Sequence, residues 1–394
     1  MELTVLELND RREKFIAAMV AEKPDWETAL IVGKVNLYYF TGTIQDALLI
    51  FRKDGSFSYY IRRSFERALE ESPLSGIRQM HSYRQAAEME DRPFGNTYIE
   101  GDILTYTVLE RLKNSFDMRI SGTLDRIVMN VRSVKSAYEL YYMQKAGDKH
   151  RILMDEVIPG LMRGGMSEQA FVGEVANQVF KLGYHGYTRF SRFQSEMMIG
   201  QFGFGTNSLV PTNFDGPGGS RGYGAAMPVA GSPHKLLKKG DLVFVDIGFG
   251  INGYNSDKTQ VYSFGAKPSP AAAAAHQVCI DVQMRTAERL RPGEVPAKIY
   301  TDIMDWLDDQ QKINFMGYKN RQVRFLGHGI GLHVDEIPVI AQNFDRPLAE
   351  NMVIALEPKK GVEGEGMVGV EDTYIITPDG GRCITGGPRE IIVV

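Results

Sequence analysis

The chain has 394 residues, 43% of them hydrophobic, with 45 basic side chains against 49 acidic ones and a formal net charge of −4. That length accommodates two domains with cores of their own, and the mildly acidic balance gives no electrostatic reason to expect a nucleic acid or an anionic membrane as partner. No apolar run approaches the roughly 20 residues of a membrane span. The opening MELTVLELNDRREKF lacks a basic-then-apolar leader, and two cysteines, Cys279 and Cys383, are too few for a disulfide framework. A soluble, cytoplasmic protein is expected.

In chain order, Asp10 can cap a helix running through Glu22. ALIVG at 29–33, LYYFTG at 37–42, ALLIFRKDG at 47–55 and then SFSYYIRR read as strands closed by turns. Ser64 is placed to cap FERALEES, and TYIEGD at 97–102 reads as a further buried strand before a helix through Leu112. This alternation predicts an α/β domain over residues 1–128. At NVRSVKSAYEL the pattern becomes a long helix, with Leu140, Met143, Ala146 and Ile152 along one stripe, and a second domain is placed over residues 129–394. A second helix there opens at Ser167 and Gln169. Phe190 to Gly231 is long, glycine-rich and without period, and its aromatics favour an ordered active-site lining over disorder. Helices over Ser269–Leu290 and Ala297–Gln311 follow.

Chemistry concentrates in two hairpin-like stretches. In GDLVFVDIGFGINGYNSDKTQVYSFG, a reversal near Ile251 and Asn252 sets Asp246 opposite Asp257 inside apolar strands. Two carboxylates about 5 Å apart repel unless paired, protonated or bound to a cation. In NMVIALEPKKGVEGEGMVGVEDTYIIT, a reversal at Gly364 sets Glu357 opposite Glu371, with KKGVEGEG as the turn. Between the hairpins, His328 stands among Gly327, Gly329 and Gly331, where glycine permits close backbone approach. Four carboxylates and one imidazole can hold two divalent ions, with manganese expected and cobalt, iron or zinc as the others. Such a pair activates water between its ions. Four solvated acids and a core histidine are the plainer alternative.

The order Asp246, Asp257, His328, Glu357, Glu371, with the words VDIG, GYNSD, GHGIGL, ALEP and VED around them, resembles the ligand set of the pita-bread metallopeptidases, the family of methionine aminopeptidase, aminopeptidase P and prolidase. NLYYFTG followed by ALLIF is similar to the creatinase-type N-terminal domain, and VRSVKSAYELYYMQKA to the helix that opens the catalytic domain. The resemblance implies an α/β (α+β) chain: a creatinase-like domain, then a curved antiparallel sheet flanked by helices. It also implies that Asp246 chelates one ion, that Asp257 and Glu371 bridge, that His328 binds the other ion, and that Glu357 both ligates and shuttles protons. A homodimer is implied too, in which Arg62 and Arg63 could clamp a substrate carboxylate at the partner's site.

Three positions depart from the family. Asn213 or Asp215 stands where peptidase members carry a histidine before the first aspartate, and His185 and His234 read as local structural residues. Asp335 replaces a second histidine seven residues after His328, and His333, if the segment is a strand, points into the same pocket as a substitute catalytic group. Gly369 replaces an arginine. The leading expectation is an Xaa-Pro aminopeptidase or dipeptidase acting on a small peptide or amide. A non-peptide C–N hydrolase or lyase on the same fold, and a metal-binding interaction module without catalysis, are the alternatives.

Overall fold

The computed structural model describes every residue except Glu196 and Asp215. It is a mixed α/β chain of two compact units, Met1–Arg132 and Ser133–Val394. Among the described residues no helix is long and apolar enough to cross a membrane.

The first unit is built on a six-stranded sheet. Its strands run, in spatial order, Arg78–Gln79, Phe57–Ile61, Ala47–Arg52, Thr28–Ile31, Gly95–Ile99 and Met118–Thr123. Leu30, Leu48, Ile50, Tyr60 and Phe94 form its core. Two expectations fail here. The first helix is Val5–Glu22, capped by the Thr4 hydroxyl, which accepts from Glu7 N at 3.2 Å, so Asp10 lies inside it. LYYFTG is no strand but part of the helix Lys34–Thr41, closed by Gly42 at φ 80°. Asn36, Leu37, Tyr39 and Phe40 are all buried. A helix covered on several sides shows no polar stripe, and its aromatic content imitates a strand.

In the second unit, the helix Ala137–Ile152 opens on a capping box formed by Ser136 and Glu139, and Ser167 caps Glu168–Lys181. The expected loop after Phe190 contains a strand, Gly200–Phe204, which pairs with Leu242–Ile251. That strand and Tyr254–Ser263 form the first hairpin, longer than expected because Gly248 to Ile251 pair as strand and the reversal is Asn252-Gly253. Both turn residues have positive φ, 52° and 88°, as a tight primed turn requires. The shift has a consequence: Asp246 pairs with Thr259 and Asp257 with Gly248, so the two aspartates are not opposite each other but two pairs apart along the ladder, which keeps them on the same sheet face.

The second hairpin keeps its expected register. Val353–Leu356 pairs with Asp372–Thr377, and Lys359–Val362 with Gly366–Gly369. Leu356↔Asp372 and Lys359↔Gly369 flank Glu357 and Glu371, which therefore face each other. The part of KKGVEGEG expected as turn is mostly strand. The two hairpins join where Thr259 N donates to Glu371 O at 3.2 Å and Asp257 N to Thr373 Oγ1 at 2.8 Å.

Candidate metal centre

Alternation along the joined strands sorts side chains by face. Asp246, Asp257, Thr259, Glu357 and Glu371 are buried or nearly so and face one another, whereas Lys258 and Asp372 pair on the reverse face at 2.9 Å. His328 lies on Phe325–Gly329, paired with Ala355. A Cβ on Gly327 would stand 2.2 Å from Ala355 O, and one on Gly329 2.2 Å from Ile337 O. Only glycine lets these backbones approach so closely. His328 Nδ1 is 3.0 Å from Gly329 O, so Nδ1–H donates and Nε2 turns inward, 3.3 Å from Glu357 Oε1 and 4.0 Å from Glu371 Oε1.

The five candidate ligands thus come together, and so does a sixth group missing from that set. Lys359 Nζ lies 2.9 Å from Asp246 Oδ2, 2.8 Å from Glu357 Oε2 and 2.7 Å from Glu371 Oε2, with its side chain wholly buried. The sequence carried a signal for it. Lys359 is two residues beyond Glu357, the spacing that returns a side chain to the same face of an extended segment. Reading Glu-Pro-Lys-Lys as the start of a turn hid it.

The electrostatics follow. Burial pulls the Lys359 ammonium down, but Asp246, Glu357 and Glu371 outweigh it and hold it well above the usual lysine value. Burial raises Glu357, but Lys359 and His328 win and keep it ionised. Burial, joined by the Glu371 and Asp246 charges, pushes Asp257 well up. Burial lifts Glu371 to about 8 against the pull of Lys359. Burial would lower His328, yet Glu357 raises it to about 9.

Among the described residues, Asp257 Oδ1 and Glu371 Oε1 are buried oxygens with no hydrogen-bond partner, a costly state unless a cation meets them. Donor atoms of Asp257, His328 and Glu371 lie within 4.8 Å of one another. Three such donors fit one divalent ion. Of the two acids expected to hold a second ion, Asp246 gives its Oδ2 and Glu357 its Oε2 to Lys359.

The remaining candidates divide. Asp335 accepts from Ser191 N at 2.5 Å and Ser191 Oγ at 3.0 Å, so it anchors the segment after Phe190. Residues 331–335 form bends between Phe325–Gly329 and Glu336–Ala341, not a strand, so the argument that His333 shares a side with Asp335 fails. His333 N donates to Glu336 Oε1, which pins that bend. Asn213 is exposed, and Asp215 lies outside the described residues. Arg62 is held by Asp46 at 2.7 Å, and Arg63 is 80% exposed. His185 binds the hairpin turn, accepting from Gly253 N at 3.1 Å through Nδ1. Gln201, paired with Asp246 across the sheet, was not anticipated. Among the described residues, neither polar atom of its buried amide has a hydrogen-bond partner.

Residues 141–378 match metallopeptidase family M24, and residues 11–134 match the creatinase/prolidase N-terminal domain. The chain belongs to metallopeptidase family M24. The Xaa-Pro dipeptidase of Pyrococcus furiosus is 27% identical over 98% of this chain and the whole of that protein. Among solved structures, the Xaa-Pro dipeptidase from Bacillus anthracis superposes with a TM-score of 0.80 at 22% identity, covering 98% of this chain and 100% of that one. The X-Pro aminopeptidase from Thermotoga maritima gives 0.77 at 21%, covering 97% and 99%. These two likenesses establish the fold.

Proposed function

We propose that this chain is a metal-dependent hydrolase that cleaves the Xaa-Pro bond of short peptides, as a dipeptidase or an aminopeptidase. The observation that carries the hydrolytic reading is the meeting of the partnerless Asp257 Oδ1 and Glu371 Oε1 with His328. The substrate class rests on the full-length relationship to the Pyrococcus furiosus enzyme. A divalent ion held by Asp257, His328 and Glu371 would polarise a scissile carbonyl and make water nucleophilic near neutral pH. Around it, Glu357 is ionised and faces His328, which suits it to take a proton and pass it to a leaving amine. Gln201 offers a neutral donor and acceptor to a substrate beside Asp246. Manganese as the ion, supported by the mixed carboxylate and imidazole donors, and a cytoplasmic setting, supported by two unbridged cysteines, complete the proposal, with a homodimer carried over from the family resemblance alone.

The test is a matrix of metal against substrate. Protein stripped with chelator and reloaded with Mn, Co, Fe or Zn is assayed on Xaa-Pro dipeptides, longer Xaa-Pro peptides, and creatine-like or acylated amides. Cleavage of an Xaa-Pro bond that vanishes with chelator is expected. Turnover of the amides alone would replace the peptidase reading by a non-peptide C–N hydrolase. One observation favours that second reading: the candidate positions that replace the family's substrate histidines bring no imidazole, since Asp335 is committed to Ser191 and Asn213 is exposed.

A further inference from the structure

The two carboxylate oxygens of Glu371 are used differently. Oε2 accepts from Lys359 Nζ at 2.7 Å and from Thr259 Oγ1 at 2.9 Å, while Oε1 has no hydrogen-bond partner. An ammonium carries three donors, and Lys359 directs them at three carboxylates, one from the first hairpin and two from the second. Burying a charge costs several kcal/mol unless it is paired and hydrogen-bonded, so a wholly buried lysine with three carboxylate partners is a built cation site. The backbone is shaped for it. Gly369 faces Lys359 across the hairpin, and a Cβ there would lie 2.6 Å from Lys359 Cα and 2.9 Å from its Cγ.

We propose that the Lys359 ammonium is a resident cation of this centre, seated between Asp246, Glu357 and Glu371 in place of one metal ion, so that the chain takes a single divalent ion at Asp257, His328 and Glu371. This rests on reading those three donors as an ion site. Charge supports the count. With the carboxylates ionised and His328 neutral, as metal ligation requires, four carboxylates and Lys359 leave three negative charges, which one divalent ion reduces to one. A second ion would have to sit about 2.1 Å from oxygens that already hold the ammonium at 2.7–2.9 Å, and the centre would turn positive.

The test is Mn2+ stoichiometry, by titration calorimetry on chelator-stripped protein and by elemental analysis after desalting, for the wild type, Lys359→Ala and Lys359→Gln. Circular dichroism and thermal melting confirm that each variant is folded. One ion per wild-type chain and two per Lys359→Ala chain are expected. Two ions or none in the wild type, or no gain in the folded Lys359→Ala protein, overturn the proposal. If neither variant folds, the wild-type count decides. Stoichiometry is read without turnover, so a chain that binds one ion yet cleaves no Xaa-Pro bond refutes the peptidase reading and leaves this one intact.

Discussion

The two sides of Glu371 contain the same kinds of anion in different states. On one side Asp246 and Glu357 meet an ammonium that belongs to the chain. On the other, Asp257 and His328 face an oxygen left without a partner. The first side is electrostatically complete as folded, and the second is complete only with a cation from solution. A ligand motif therefore does not by itself state how many ions a centre holds, because a side chain outside the motif can supply one of the charges.

The largest effect that could break this comparison comes from Asp257→Asn set against Asp246→Asn. Asp257→Asn removes a donor from the open side, and elemental analysis should find its metal lost, with activity falling by more than the roughly 10–100-fold that loss of a supporting residue costs. Asp246→Asn changes a partner of Lys359 and should keep its ion. Equal metal loss in both would erase the difference between the sides.

Smaller is the effect of Asp372→Asn, behind the same strand. Lys258 and Asp372 are a buried pair at 2.9 Å, both about 1% exposed, backed by Gly386 O and Thr385. Removing one partner of such a pair costs about 3–5 kcal/mol, which urea denaturation would show as a lower midpoint with metal content per folded chain unchanged. A shift below 1 kcal/mol would mean that pairing on this face contributes little.

The smallest expected effect concerns the hairpin turn. His185 must be unprotonated at Nδ1 to accept from Gly253 N, and burial lowers its pKa to about 4. Its folded pKa lies below the unfolded value of about 6.5, so the unfolded chain binds the extra proton between these values. The contribution to stability is thus full above pH 6.5 and is lost as pH falls toward 4. For a partly exposed ring this is about 1–2 kcal/mol. His185→Gln should flatten the pH dependence of the melting temperature in that window, and an unchanged slope would assign it to other groups.

Much of this was legible in the sequence. Short apolar strands around single acids exposed Asp246, Asp257, Glu357 and Glu371, and the symmetry about Gly364 gave the glutamate register. The aspartate register slipped because the glycines at 248 and 250 imitate a turn, while the chain reverses at Asn252-Gly253. LYYFTG was misread because a helix buried on several faces loses its period. Lys359 escaped because a lysine after Glu-Pro reads as solvated turn, and its burial depends on three carboxylates that only the tertiary fold assembles.

The most direct test is anomalous diffraction at the manganese edge from crystals grown with saturating Mn2+. Lys359 as resident cation predicts one peak, between Asp257, His328 and Glu371, with Lys359 Nζ still in hydrogen-bond contact with Asp246. Two peaks, with the lysine turned away from Asp246, would contradict it.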